Sequence, residues 1–222
     1  ALTRWTDAVI GGLVALVAAT AVPAAPLRRP REQAAVVVRK IAALLRAGAD
    51  VMESGEVEPA LDLLADARAT DYLIRELQAA ADEGLSVVAS SPFRVRHKGG
   101  IRRMVELVDP LDRALRSTRV FTRRTAVAAY RRREVPHSYA VLARDLADAC
   151  DEVVAELNQN LMAYQARAAL LAVAQATAMV ERTDDLSIEM VLAQIRSVVA
   201  DLLTLTGLDP LEATDSLPPP RR

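Results

Sequence analysis

Between Ala8 and Leu27 the chain carries no charged side chain, and this run of twenty mostly apolar residues constrains the fold more than any other feature. A bilayer hydrocarbon core of about 30 Å is crossed by roughly 20 apolar residues in a helix, so the run is long enough to span. Trp5 stands at its N-terminal edge, where an interfacial aromatic belongs, and Gly11-Gly12 permits close helix–helix approach. Arg28, Arg29, Arg31, Arg39 and Lys40 follow it, against Arg4 and Asp7 before it. By the positive-inside rule, the C-terminal side faces the cytoplasm. Two other readings stay open. A signal peptide would share the apolar core and the small residues Ala19-Thr20-Ala21, although Asp7 and the arginines after the run suit export poorly. A core helix of a soluble fold would be shortened by Pro23 and Pro26.

Beyond the run, apolar residues recur at helical spacing almost to the end. The stripe Ala34, Val37, Ile41, Leu44, Val51 predicts a helix opened by Pro30 and closed by Gly55. A second runs from Pro59 through Leu63, Ala67, Ile74, Leu77, Ala81, Leu85 and Val88, and Ser90-Ser91-Pro92 breaks it. A third carries Ile101, Met104, Val108, Leu111, Leu115 and Thr118, with a kink or restart expected near Asp109-Pro110. Tyr139, Leu142, Leu146, Ala149, Val153 and Leu157 mark a fourth. An Ala-rich fifth spans about 164–182, and Thr183-Asp184-Asp185 leads into a sixth with Ile188, Val191, Ile195, Val198, Leu202 and Leu205. Gly207 is placed to cap it. The expected fold is therefore all-α: one N-terminal transmembrane helix (1–27), then an antiparallel bundle of about six long helices (28–215), then a disordered tail (216–222).

Aromatic residues make up only 3% of the chain, leaving few rings to stack on nucleobases. The net charge of −1 hides an asymmetry. Between Arg94 and Arg133 there are thirteen Lys/Arg and three acids, a local +10 that leaves −11 for the rest. The next helix, with Asp145, Asp148, Asp151, Glu152 and Glu156, is the nearest acidic counter-surface. Arg94, Arg96, Lys98, Arg102 and Arg103 form a basic patch that would suit anionic membrane lipid. A solvated, partly paired face is the plainer reading. Nucleic acid is disfavoured as a partner.

Chemistry-bearing motifs are sparse. The sequence has no phosphate-binding glycine loop, nucleophile elbow or HExxH, and the histidines His97 and His137 lack acidic neighbours at metal-ligand spacing. Cys150, the single cysteine, reads as a buried small hydrophobe. We nominate no catalytic, cofactor-binding or metal-binding residue, and we expect neither a cofactor nor catalysis.

Two stretches resemble a known family. Arg4-Trp5-x-Asp7-x-x-x-Gly11-Gly12, opening the apolar run, resembles the start of the last membrane helix in FUSC-like bacterial transporters, the fusaric acid resistance and aromatic acid exporter group. The segment 191–209, VLAQIRSVVADLLTLTGLD, is similar to the C-terminal end of actinobacterial members. The break at Ser91-Pro92-Phe93-Arg94 before a basic helix fits the same pattern. The resemblance implies an inner-membrane, homo-oligomeric exporter of aromatic or other organic acids, with this chain holding its last span and cytoplasmic domain. The partners it implies are membrane lipid, other copies of the chain, and upstream membrane helices of the same protein, in keeping with a sequence that starts at Ala1 without a methionine. A scaffolding, oligomerisation or gating role would follow. The alternative is a single-span or soluble helical bundle for interaction or signalling.

Within 191–209, Ile195, Val198, Val199, Leu202 and Leu203 form the apolar stripe, while Gln194, Arg196 and Asp201 lie off it. Arg196 and Asp201 are five residues apart, a poor spacing for a mutual helical ion pair, so each is expected to have its own partner. Gln194, Arg196, Asp201 and Gly207 together are the candidate interdomain motif.

Overall fold

A computed structural model of the protein describes residues 10–12, 25–89, 106–159 and 163–219. The described residues are all-helical, with no strand. Eight helices follow the Ile10–Gly12 turn of helix: α1 (Ala25–Ser54), α2 (Val57–Arg68), α3 (Asp71–Ala89), α4 (Val108–Tyr130), α5 (His137–Asn158), α6 (Arg167–Ala176), α7 (Leu186–Leu205) and α8 (Pro210–Asp215). The expectation of six long helices thus resolves into five long and three short ones. No helix among the described residues is long and apolar enough to cross a membrane. Most of the uncharged run, the whole patch Arg94, Arg96, Lys98, Arg102 and Arg103, and His97 lie outside the described residues.

Ion pairs between helices give the directions. Lys40 with Asp66 and Arg29 with Glu83 run α2 and α3 back along α1. Arg46 with Asp148, and Arg144 with Asp50, set α5 antiparallel to α1. Arg113 with Asp201, and Arg133 with Asp185, set α7 antiparallel to α4. The core is therefore built from two antiparallel pairs, α1/α5 and α4/α7, joined mainly where α1 packs on α4.

Small residues recur every seven positions on the first pair: Ala35, Ala42 and Ala49 on α1, and Ala140 and Ala147 on α5, all buried. That period keeps one seam facing its partner, and alanine lets the backbones approach closely. Gly48 does the same between α1 and α4. A Cβ there would lie 2.7 Å from Phe121 Cζ, and the Phe121 ring is fully buried.

Several sequence expectations are redrawn at helix ends. The stripe from Pro59 to Val88 is two helices, because Thr70 turns its hydroxyl onto the Ala67 carbonyl (2.7 Å) and accepts from Arg119 Nε (2.8 Å). The basic helix starts at Val108, the restart of the two alternatives expected there, and Pro110 sits in its first turn, where no N–H is needed. Asp185 caps α7 by accepting from the Ser187 N–H at 2.8 Å. Gly207 follows α7 with φ +87°, the left-handed conformation that glycine reaches without a side-chain penalty. α8 has no counterpart in the periodicity, yet Asp209-Pro210-Leu211-Glu212 encodes it. Asp209 accepts from the Leu211 and Glu212 N–H groups while Glu212 accepts from the Asp209 N–H. The start of the expected tail is held on the bundle, with Leu217 against the core and the Pro218 carbonyl accepting from Arg196.

Among the described residues, no ion pair joins the acidic face of α5 to the basic segment. Asp148 and Asp151 both bind Arg46 on α1, and Glu156 turns inward to accept from the Gln165 and Ala166 N–H groups before α6. Arg113, Arg116, Arg119 and Arg133 of the basic segment pair instead with Asp201, Asp112, Asp71 and Asp185.

Candidate functional site

Along the open side of the α4/α7 pair runs a groove of about 810 Å³, closed at one end by α8 and the chain after it. Its floor is the outer face of α7. The amphipathic pattern that buries Ile195, Val198, Val199 and Leu202 turns Ala193, Arg196, Ser197 and Ala200 outward into the groove. Leu192 and Leu217 add apolar surface, and Arg113, Arg116 and Ser117 form the α4 wall.

Arg196, half-buried, is the fixed point. It donates through Nη1 to Thr177 Oγ1 (2.5 Å) and through Nη2 to the Pro218 carbonyl (2.7 Å). Both acceptors are neutral. Among the described residues no carboxylate lies within ion-pair distance of Arg196. Burial, and then repulsion from Arg182, push its pKa below the usual arginine value, although a guanidinium stays charged at neutral pH. A guanidinium has five N–H donors, so donors remain beyond the two it uses.

The other charges in the groove are already matched. Asp201 accepts from Arg113 Nε at 3.0 Å, and its largely buried carboxyl is pushed up by desolvation despite that partner. Glu189 is nearly enclosed. It receives Arg182, the Tyr139 hydroxyl (2.5 Å) and the Thr183 N–H (2.9 Å). Burial opposes ionisation of Glu189, but the sum of these donors holds its pKa below the ordinary value. The same burial and the Glu189 hydrogen bond push the Tyr139 phenol up. Arg116 lies against Asp112, one turn back on its own helix. One cation, Arg196, is left over.

Of the four motif residues, the structure brings Arg196 and Asp201 to one groove with separate partners, as their spacing implied. Gln194 is half-buried on α7 and does not line the groove. Gly207 lies at the helix end beside Tyr164, whose Cε1 would be 2.9 Å from an added Cβ. The sequence reading missed Arg182, Glu189 and the α4 arginines Arg113 and Arg116 as groove residues, and buried Thr177 as the partner of Arg196. The capping box at 209–212, which carries the chain back over α7, was the signal that a second wall existed.

Other polar clusters have different shapes. Glu53 receives both Nη atoms of Arg144 (2.6 and 2.7 Å) and lies 3.2 Å from His137 Nδ1, at an exposed end of α5. Arg144 holds the Glu53 carboxyl below its ordinary pKa. Cys150 is wholly buried, and desolvation raises its thiol well above the usual range. Among the described residues no group of three or more His, Cys, Asp or Glu is arranged to hold a metal ion.

The chain is similar to an uncharacterized protein of Corynebacterium glutamicum, 24% identical over 229 residues, covering 98% of this chain and 58% of that protein. The chain thus spans under two thirds of this curated relative's length. No protein-family model matches the chain, and no solved structure matches it.

Proposed function

We propose that this chain is the last membrane span and cytoplasmic helical domain of an integral-membrane exporter of aromatic or other organic acids, of the FUSC-like kind. In this reading the span is Ala8–Leu27, the bundle faces the cytoplasm, and its role is scaffolding, oligomerisation or gating without catalysis. The observation that carries the reading is the uncharged run flowing into α1. α1 is described from Ala25, still inside the run, and carries the exposed cations Arg28 and Arg29 just beyond it. A helix leaving a bilayer on the cytoplasmic side would present its arginines there. A relative longer than the chain leaves room for further segments in such a protein. Its partners would be membrane lipid, with Arg94, Arg96, Lys98, Arg102 and Arg103 toward the headgroups, and other copies of itself.

Carbonate extraction of membranes tests this by comparing the intact chain with one starting at Arg28. The reading predicts that the intact chain stays in the membrane pellet while the shortened chain is released and remains helical. Release of the intact chain would overturn it in favour of a soluble helical interaction protein.

A further inference from the structure

We infer that the α4/α7 groove is a binding site for a small organic monoanion, a carboxylate with an apolar body, whose charged end sits on Arg196. Three features lead there. The groove has a single cation without a carboxylate partner, and that cation is held rigid by two neutral acceptors, Thr177 and Pro218. Fixing a guanidinium in advance removes much of the side-chain entropy that anion binding otherwise costs. The remaining cations each have a carboxylate partner, Arg113 with Asp201, Arg182 with Glu189 and Arg116 with Asp112 outside the groove, so a second negative charge on the ligand would meet no unpaired cation and two standing carboxylates. Finally, the surface beside Arg196 is apolar (Leu192, Ala193, Ala200, Leu217), which favours an organic body over a bare inorganic anion.

The charge pattern also argues against a polyanion such as nucleic acid, because Asp201 and Glu189 line the same groove. The inference goes beyond the exporter reading and does not depend on it, since the groove lies wholly in the helical bundle.

The test is calorimetric titration of the intact chain with hexanoate, with its neutral analogue hexanamide and with inorganic phosphate. Hexanoate is expected to bind saturably with a Kd on the order of 1 mM, while hexanamide and phosphate bind at least tenfold more weakly. Arg196→Gln should reduce hexanoate binding at least tenfold. Because that variant also loses the Thr177 and Pro218 contacts, Ala193→Glu provides a second arm. Ala193 is exposed on the groove floor, one turn before Arg196, so a glutamate there supplies an internal counter-charge without entering the core. It should abolish hexanoate binding while the helical spectrum stays unchanged. No hexanoate binding to the parent chain, equal binding of hexanamide or phosphate, or full binding by Ala193→Glu would each overturn the inference.

Discussion

The α1/α5 and α4/α7 pairs are both antiparallel, both buried along one face, and both edged by arginines and acids, yet their arginines are matched differently. On α1/α5 the charges interlock. Arg46 of α1 takes Asp148 and Asp151 of α5, and Arg144 of α5 takes Asp50 and Glu53 of α1. Buried alanines lie beneath them on both helices. On α4/α7 the buried faces carry Leu111 and Leu115 of α4 and Leu192, Ile195 and Leu202 of α7. There the charges do not balance, and α8 folds over the unbalanced one. The same pairing geometry yields scaffold when the surface charges cancel across small residues, and a site when one is left over beside an apolar floor.

The largest expected difference concerns volume. Ala147 is fully buried on α5, which the ion pairs hold antiparallel to α1. Ala147→Leu should cost about 1–3 kcal/mol through overpacking, whereas Ala193→Leu on the open floor should stay within about 0.5 kcal/mol. Urea denaturation of the two variants checks this. Equal losses would show that α7's outer face is covered as completely as the α1/α5 seam. Gly48→Ala extends the same logic to the α1/α4 contact. The methyl meets the Phe121 ring, so a net loss of about 1–3 kcal/mol is expected despite the better helix propensity.

Charge removal should rank in the opposite way to its appearance. Arg144 makes three hydrogen bonds to carboxylates, but they are exposed, and Arg144→Ala should cost only about 0.2–1 kcal/mol. Arg196→Gln removes no ion pair but unties the chain after α8 and strips partly buried hydrogen bonds, each contributing about 1 kcal/mol. Denaturation midpoints that fall further for Arg144→Ala than for Arg196→Gln would reverse the assignment of scaffold and site.

Acid titration gives the smallest effect and separates two carboxylates within the groove itself. Glu189 is held below its ordinary value of 4.5 in the fold. Its contribution is therefore complete above the unfolded value and is lost as pH falls through the lower folded value. Asp201 is raised above its ordinary 3.8, so the folded state takes up its proton first and acidification through that window costs no stability there. Melting temperatures below about pH 4.5 should accordingly decline less steeply for Glu189→Gln than for the parent chain. Asp201→Asn should not flatten that decline.

Helix stripes were legible in the sequence because each face is apolar at 3.6-residue spacing: Tyr139 to Leu157 became α5 and Ile188 to Leu205 became α7 almost residue for residue. The breaks were less so. Thr70 interrupts a continuous apolar stripe only because Arg119, 49 residues away, binds its hydroxyl, and no local pattern records that partner. The groove was half legible. The five-residue spacing of Arg196 and Asp201 foretold separate partners, but their identities depend on how α4 and α8 pack. The basic segment was not legible as a block, since among the described residues Arg119, Arg116, Arg133 and Arg113 disperse to Asp71, Asp112, Asp185 and Asp201.

The contrast between the two pairs is tested most directly by hydrogen–deuterium exchange of the intact chain with and without hexanoate. The account predicts added protection over residues 192–201 of α7 and over α8, with α1 and α5 unchanged. Protection spread evenly over both pairs, or confined to α1 and α5, would contradict it.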